Sequence, residues 1–373
     1  MGKNIGIITF HASYNCGSML QTYALKTKLE QLGHTCQIID FSNKGQQEIY
    51  SVYARNKSIK DLIRNIIIYT YHRRIERNYE SYEEFIQKYF SLTSQKYECL
   101  EQLSDDGFDA IIAGSDQIWN ITIADGDDAY FLPWVKCAKK IAYAPSFGAK
   151  SPLVFAKNPD IYKQYISEFD SLSVREKNGQ KWIKELTGLD AEIIIDPTLF
   201  HNIDVYNVIR DTKLVLPDKY IFYYSPGYSR DINFLVKKIS SKYNLPVIAF
   251  NSRNFYVRGM GFSKFLLPSI ENPSSYLTLI KNATMVITTS FHGTVFSSLY
   301  KKCFWTVKNK GMFGDDDRVQ TLMDTFNLSD RMIEIKFNPD FNYLSPKDYS
   351  IFDRNLERER IKATAYLKKA LDF

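Results

Sequence analysis

Short apolar segments alternate along the chain with segments in which apolar residues recur at helical spacing. Residues 5–10 are mainly apolar and few, which is typical of a strand buried within a parallel sheet. From Met19 to Leu29 the apolar residues repeat at helical spacing, Gly33 ends the helix, and residues 36–41 form the next apolar segment. This order predicts a βαβ unit, from which parallel sheets are built.

The same alternation continues through the rest of the chain. Further strands are predicted at residues 108–113, 140–143, 171–174, 191–195, 220–224, 246–250 and 285–289. Residues 59–89 are instead helical, basic and aromatic, and they contain neither Gly nor Pro. The sequence therefore predicts an α/β protein with a helical insertion in its first half.

A chain of 373 residues is long for one hydrophobic core and suits two domains. The boundary is predicted near residues 200–217, where polar residues and Pro217 precede a new strand. We expect an N-terminal Rossmann-like domain at residues 1–210, with the helical insertion around 55–100, and a C-terminal Rossmann-like domain at 211–345. Residues 346–373 are expected to form a charged amphipathic helix that packs back on the N-terminal domain.

Composition and charge exclude few classes of protein. Hydrophobic content of 45% and charged content of 24% are ordinary for a globular protein, which sets aside disordered and fibrous classes. The net charge of +6 fits an anionic substrate, a nucleic acid, an anionic membrane surface or simply a solvated helix face. No apolar run reaches the ~20 residues that span a bilayer and no signal-peptide pattern opens the chain, so we expect a cytoplasmic protein. The five cysteines are scattered without a CxxC pair, as expected of reduced thiols.

Polar residues follow the ends of several predicted strands, where loops and helix N-termini of α/β proteins meet their ligands. The sharpest case is His292, which lies at a strand-to-helix turn among hydroxyl residues and can act as an acid, a base or a phosphate ligand. The alternative is a structural histidine that caps the helix. Arg175 can hold a carboxylate or phosphate, or form an ion pair with Glu176 or another surface carboxylate.

Two further strand ends carry reactive side chains. Asp116 follows a buried strand and is either a base for a hydroxyl or a cap of the next turn. Cys16 could be a nucleophile, but no histidine other than His11 is near it in sequence, so a small space-filling role is favoured. The acidic loop at residues 311–318 lacks the spacing of a calcium site, and no P-loop, GxGxxG or nucleic-acid module is present.

Seven segments, in a fixed order along the chain, carry a resemblance to a known family. They are IGIITF at residues 5–10, NCGSMLQTYAL at 15–25, GSDQIWN at 114–120, YAPSFG at 143–148, SVRE at 173–176, DPT at 196–198 and SFHG at 290–293. Together these segments resemble the polysaccharide pyruvyl transferase family, from residue 5 to about residue 331.

The resemblance implies two Rossmann-like domains facing across a cleft, similar to the two-domain (B-type) glycosyltransferase fold. It implies transfer of pyruvate from phosphoenolpyruvate to two hydroxyls of a hexose in a surface-polysaccharide precursor, which gives a cyclic ketal without a cofactor. Such acceptors are often lipid-linked, and that fits a basic, aromatic helical arm that contacts an anionic membrane at its inner face. No nucleic-acid partner is expected.

The resemblance also assigns roles to residues. His292 is expected to bind phosphate or supply a proton, and Asp116 to orient the acceptor hydroxyl. The residues expected to bind the donor are Arg175, Ser290, Gly293, Thr294 and Arg318. Those expected to line the cleft or hold the acceptor are Asn15, Gly17, Gln117, Trp119 and Ser146. No metal site is expected.

One position departs from the family pattern. Many members carry an arginine two residues before the last histidine, where this chain has Ser290. Either another cation such as Arg318 or Lys308 replaces it, or the donor binds in a different pose. Two alternative functions stay open: a glycosyltransferase that uses a nucleotide sugar, and a non-catalytic subunit of a polysaccharide assembly complex. The second would depend on the basic helices at Arg73, Arg74 and Arg77 rather than on His292.

Overall fold

The computed structural model of the chain describes residues 2–55, 58–308 and 317–372. Two five-stranded sheets lie in this part of the chain, and every strand pairing within them is parallel. Parallel strands need crossover connections, which here are mostly helices. The predicted fold class, α/β with two Rossmann-like domains facing across a cleft, is therefore confirmed.

The first sheet and its helices come from the first 207 residues. Their elements are β1 (Asn4–Ile8), α1 (Cys16–Gln31), β2 (Thr35–Phe41), α2 (Lys44–Tyr50), α3 (Ile59–Thr70), α4 (His72–Tyr89), β3 (Leu92–Tyr97), β4 (Ala110–Ala113), β5 (Lys139–Ala142), α5 (Pro152–Phe155), α6 (Pro159–Ser167), β6 (Ser173–Val174), α7 (Lys177–Thr187), β7 (Glu192–Ile193) and α8 (Ile203–Asn207).

The second sheet and its helices follow from residue 221 onward. Their elements are β8 (Ile221–Tyr224), α9 (Arg230–Tyr243), β9 (Val247–Ala249), α10 (Ser252–Val257), α11 (Pro273–Asn282), β10 (Met285–Thr288), α12 (Phe291–Leu299), β11 (Phe304–Val307), α13 (Arg318–Phe326), β12 (Met332–Ile333) and α14 (Ser350–Ala370).

The strand order places one strand at the centre of each sheet. The first sheet runs β3-β2-β1-β4-β5 and the second β12-β11-β10-β8-β9. Ile7 of β1 pairs with Ile38 on one side and Ile112 on the other, and all three side chains are fully buried. Each such side chain stabilises the fold by about 1.5–3 kcal/mol relative to an exposed one. The central strands are apolar because both of their faces are covered by helices.

The edge of the first sheet differs from the sequence prediction. Strands predicted at 171–174 and 191–195 shorten to β6 and β7, which form a two-stranded sheet of their own. A bridge between Ile141 and Ser171 joins this pair to the β5 edge. An edge strand has few hydrogen-bonding neighbours, so the apolar segment in the sequence is longer than the strand that pairs.

Two helical segments connect the halves. Helix α14 returns to the first sheet, where Tyr366 Oη donates to Ala142 O at 2.8 Å and Arg360 Nε donates to Leu199 O at 2.7 Å. Helix α4, from the first half, contacts the second half, where Arg77 donates to Ser269 O at 2.9 Å and Arg74 donates to Pro268 O. Arg74 and Arg77, which belong to the basic helices on which a non-catalytic subunit would depend, are therefore engaged in contacts between the halves.

Candidate active site

Polar side chains from both halves meet where strands β4, β6, β7 and β10 end. Asp116 follows β4, Arg175 follows β6, Asp196 follows β7 and His292 lies in the first turn of α12, after β10. All four are buried, at 4–7% exposure for Arg175, Asp116 and His292 and 1% for Asp196. The structure thus brings together three residues that the sequence singled out and adds Asp196.

Asp196 connects the two halves of the cluster. Its Oδ2 accepts from Arg175 Nη1 at 2.6 Å and lies 3.4 Å from His292 Nε2. Its Oδ1 accepts from Thr198 N at 3.0 Å and from Thr198 Oγ1 at 2.6 Å. Burial alone would raise the pKa of Asp196, but His292, Arg175 and Thr198 together hold that pKa well below its usual range. The carboxylate therefore stays ionised and fixes the arginine and the imidazole relative to each other.

Arg175 keeps hydrogen-bonding capacity after making these contacts. Its guanidinium lies over the Phe291 ring, 4.4 Å from the centroid, and Nη2 is 3.7 Å from Asp116 Oδ1. Within the part of the chain that the structure describes, its Nε and Nη2 have no hydrogen-bond partner. Glu176, the alternative partner, instead accepts from Phe147 N at 3.0 Å. The buried cation of Arg175 can therefore still bind an anion.

His292 lies between the N-termini of two helices. Ser290, not His292, caps α12, since Ser290 Oγ accepts from Gly293 N at 3.3 Å. Gly17, in the first turn of α1, packs so closely against the imidazole that a Cβ there would overlap Nδ1. Asn15 caps α1 by accepting from Gly17 N at 2.9 Å. Both helix ends add positive potential around His292, which favours a bound anion.

Asp116 is held in a strained turn. Its φ of 76° lies in the left-handed region, which costs a non-glycine residue about 1–3 kcal/mol and is found mainly at functional sites. Oδ2 accepts from Ser18 Oγ at 2.5 Å, and Oδ1 accepts from Gln117 N at 2.8 Å. These bonds aim the carboxylate toward Arg175 and the cleft.

Arg318 is the cation that the structure places beside this cluster. It is 5% exposed, and the Gln117 amide oxygen accepts from its Nη1 at 2.7 Å in the amide orientation that satisfies both groups. A pocket of 40 Å³ is lined by Arg318, Arg175, Asp196 and Phe291. Lys308, the other candidate replacement for the family arginine, forms an ion pair with Glu334 at 3.2 Å on the exposed surface.

Glu176 and Asp196 are candidate functional residues that the sequence prediction did not select. Burial raises the pKa of Glu176 to about 7, although Arg175, Arg318 and the Ser146 hydroxyl act in the opposite direction. Glu176 lies in the SVRE segment, shortly after β6, and Asp196 lies in the DPT segment, shortly after β7. That position was the signal available in the sequence, and it would have identified both.

Four predicted site residues are buried or take part in packing the turns at the strand ends. Trp119 is fully buried in the core of the first half, where its Nε1 donates to Tyr130 O at 3.0 Å. Thr294 is also fully buried, and its hydroxyl bonds Ser290 O at 3.1 Å and Thr306 Oγ1 at 2.8 Å. Ser146 has no exposed surface and accepts from Gly148 N at 2.9 Å. Gly293 packs against Thr288 at the end of β10, where a Cβ would overlap the threonine hydroxyl. The side chains of Trp119 and Thr294 are therefore used in packing, Gly293 has no side chain, and the Ser146 hydroxyl lies beside Glu176.

Cys16 has the space-filling environment that the sequence favoured. It is 1% exposed, its Sγ lies 3.2 Å from Tyr82 Oη, and burial raises its pKa well above the usual value. A thiol with a raised pKa is a poor nucleophile.

A cavity of 540 Å³ lies between the halves and reaches Asn15. Its aromatic lining comes from both halves, namely Tyr14, Tyr50, Tyr79, Tyr82, Tyr224 and Phe250. Two arginines, Arg64 and Arg253, also line it. This volume is within the usual range for small-molecule sites and much larger than the pocket at Arg318.

Neither a metal site nor a membrane-spanning helix is found among the described residues. No group of three or more His, Cys, Asp or Glu side chains is arranged to hold a metal ion across residues 2–55, 58–308 and 317–372. Over the same ranges, no helix has both the length and the apolar character needed to cross a bilayer. The acidic loop residues 311–316 lie outside the described residues.

Comparisons with known proteins identify a family. The family model described as polysaccharide pyruvyl transferase matches residues 15–311. None of the curated proteins matches the sequence significantly. Among solved structures, UDP-GlcNAc 2-epimerase from Neisseria meningitidis bound to UDP-GlcNAc is similar, with 8% identity, a TM-score of 0.48 and coverage of 99% of each chain. The heptosyltransferase WaaC of E. coli with ADP-2-deoxy-2-fluoro heptose has 10% identity and a TM-score of 0.39, over 95% of this chain and 99% of that one.

Proposed function

The chain belongs to the polysaccharide pyruvyl transferase family and is a transferase, and on that premise we propose that it moves pyruvate from phosphoenolpyruvate to two hydroxyls of a hexose. The product would be a cyclic ketal on a surface-polysaccharide precursor. One observation carries the proposal: Asp196 joins Arg175 to His292, which lies between two helix N-termini. This arrangement suits a small donor with two anionic groups.

The donor carries a carboxylate and a phosphate, and each needs cationic or N–H partners. In our proposal Arg175 binds one of them through its unpartnered Nε and Nη2, and Arg318, which lines the same pocket and contacts Gln117, binds the other. Arg318 then replaces the arginine that many family members carry at the position of Ser290. Ser290 contributes by capping α12, where its Oγ accepts from Gly293 N and fixes the first turn that carries His292.

Each proton of the reaction has a source and an acceptor in this proposal. His292 protonates the methylene carbon, the first sugar hydroxyl adds to C2 and gives its proton to Asp116, and the C2–O bond to phosphate breaks. The second hydroxyl then adds to C2, and its proton leaves with the phosphate as HPO₄²⁻. Asp116 then gives its proton to solvent and His292 takes one up, which restores both groups. Asp196 acts by orienting His292 and Arg175, so we treat it as a positioning residue rather than an acid or base.

The 540 Å³ cavity is the proposed acceptor space. It begins at Asn15, next to the cluster, and its tyrosines offer both flat apolar faces and hydroxyl groups to a sugar. In this proposal Asn15, Gly17 and Gln117 line the acceptor side of the cleft.

Phosphate release from phosphoenolpyruvate tests the proposal. With a panel of free and lipid-linked hexosides, the wild type should release phosphate only when an acceptor is present. His292→Asn should lower the rate by about 10²–10⁴-fold. The matched control is His34→Asn, because His34 lies in the turn before β2 and contacts Lys3 N. The proposal fails if phosphoenolpyruvate does not raise the melting temperature while a nucleotide sugar does.

We also propose that the outer face of α3 contacts an anionic bilayer. Five apolar side chains lie at helical spacing on that face, and Ile59, Ile66 and Tyr69 are 79%, 62% and 76% exposed. The helix has 12 residues, so the apolar face is about 18 Å long and covers far less than the ~800 Å² that a stable protein partner needs. Exposed Lys60 and Arg73 flank it and suit anionic headgroups.

A further inference from the structure

A groove of 560 Å³ lies between helices α1 and α14, away from the catalytic cluster. It is lined by the last turns of α1, the segment that joins β7 to α8, and one face of α14. Lys28 in this groove is about 17 Å along α1 from Gly17, which packs against His292. The groove is therefore separate from the candidate active site, and its volume is typical of small-molecule sites.

Polar side chains of α14 form a row along this groove. Arg360, Thr364 and Lys368 all line it and follow one another at intervals of four residues, so they lie on one face of the helix. The two cations of this row are therefore about 12 Å apart along the helix axis. Lys28 lines the same groove from α1, and its ammonium lies 5.2 Å from the centroid of the Phe200 ring. Three cations from two helices thus border one groove.

The positive charge of the groove is only partly neutralised. Across the described residues, Lys28, Arg360 and Lys368 form no ion pair. Of the residues that line the groove, Glu357 alone carries a carboxylate, and it is exposed. His201 adds no charge at neutral pH, because burial lowers its pKa to about 4. An anion that enters the groove therefore meets an excess of positive charge.

The cations differ in how firmly they are held. Arg360 donates through Nε to Leu199 O at 2.7 Å and through Nη1 to Asn202 Oδ1 at 2.8 Å. Its Nη2 also donates to a backbone carbonyl, so two of its five N–H groups remain for a ligand. Within the part of the chain that the structure describes, the two lysine ammonium groups have no hydrogen-bond partner, and both keep accessible surface. The groove thus combines one fixed cation with two adaptable ones.

We propose that this groove binds a diphosphate group, with one phosphate at Lys28 and Arg360 and the other at Lys368. A single phosphate contacts the cations at only one end of a row about 12 Å long, whereas two linked phosphates reach both ends through the long lysine side chains. Each contact is a charge-assisted hydrogen bond. The Thr364 hydroxyl and the Asn202 amide add uncharged donors at the same groove. The inference does not depend on the proposed function, because none of these residues belongs to the catalytic cluster.

Isothermal titration of the full chain with inorganic pyrophosphate tests the site, at low salt and without phosphoenolpyruvate. Lys28→Gln and Lys368→Gln should each weaken binding about tenfold or more, since each removes one charge-assisted contact. Lys26→Gln and Lys362→Gln are the matched controls, because they remove the same charge from the same two helices. Both of those ammonium groups are already engaged in contacts within the protein, so the control variants should bind pyrophosphate as the wild type does.

The variants also separate the groove from other places where pyrophosphate can bind. If the wild type binds no pyrophosphate, or if Lys28→Gln and Lys368→Gln bind it unchanged, the groove is not the site. The same weakening in Lys26→Gln as in Lys28→Gln would mean that net charge alone attracts the anion. Lys28→Arg keeps the charge and should stay within about threefold of the wild type, which excludes a folding defect as the cause of the loss. Titration with ADP then shows whether a nucleotide ester or the free ion is the better ligand.

Discussion

The contact between Gly17 and His292 makes a sharp prediction about the sign of a stability change. In a helix, Gly→Ala normally stabilises a protein by about 0.4–1 kcal/mol, because the unfolded chain loses freedom. At position 17, however, the new methyl group would overlap Nδ1 and Cγ of His292 and lie 2.9 Å from its Cβ. Overpacking of this kind costs about 1–3 kcal/mol. We therefore expect Gly17→Ala to destabilise the fold by about 1.3 kcal/mol, the difference between the mid-points of the two effects, about 2 and about 0.7 kcal/mol.

Urea unfolding, followed by tyrosine and tryptophan fluorescence, measures the stability change. Phosphate release from phosphoenolpyruvate should fall about 100-fold, because the methyl group displaces the imidazole by about 1 Å. His292→Ala is the matched background, since it removes Nδ1 and Cγ and leaves only the Cβ contact. In that background Gly17→Ala should cost at least about 1 kcal/mol less. A stabilised, fully active Gly17→Ala protein would show that α1 and α12 do not meet as described.

Three other changes have defined outcomes. The pKa of Glu176 is raised from 4.5 to about 7, so stability is fully present below pH 4.5 and falls as pH rises through about 7. In Glu176→Gln, the free energy of unfolding measured in urea should fall by up to about 3 kcal/mol less between about pH 5 and 8 than in the wild type. If its dependence on pH is unaltered, burial does not raise the pKa of Glu176. Arg318→Gln should raise the KM for phosphoenolpyruvate about tenfold or more, whereas Lys308→Gln should not change it. If both variants raise the KM equally, Arg318 does not bind the donor. Ile63→Glu should abolish sedimentation with phosphatidylglycerol vesicles, but Ile361→Glu, at an equally exposed position of α14, should not; retained binding by both would refute the contact through α3.

The central strands were predictable because their sequence is apolar on both faces. Residues 5–10 overlap β1 (Asn4–Ile8) and residues 285–289 contain β10, and these are the middle strands of the two sheets. The edge pair β6 and β7 was predicted too long, because apolar character reports burial, whereas a ladder also needs a paired neighbour. Helix bounds within residues 59–89 needed the structure, which places the break between α3 and α4 at Tyr71.

The site was predictable in its parts but not in its connections. Strand ends identified His292, Arg175 and Asp116, and parallel strands bring such ends to one edge. Nothing in local sequence indicates that Asp196, rather than Glu176, pairs with Arg175, because that choice depends on how β6 and β7 are placed across the sheet. Motif membership alone also could not separate Thr294, which packs α12, from residues that face the cleft.

The return of α14 to the first sheet affects the order in which the protein can fold during synthesis. Tyr366 and Arg360 complete hydrogen bonds at Ala142 and Leu199, on a surface that leaves the ribosome more than 150 residues earlier. Until α14 emerges, that apolar surface of the first half has no covering helix, while the second half is still being made. Chaperones that recognise exposed apolar segments would therefore find the nascent first half a substrate until translation is nearly finished.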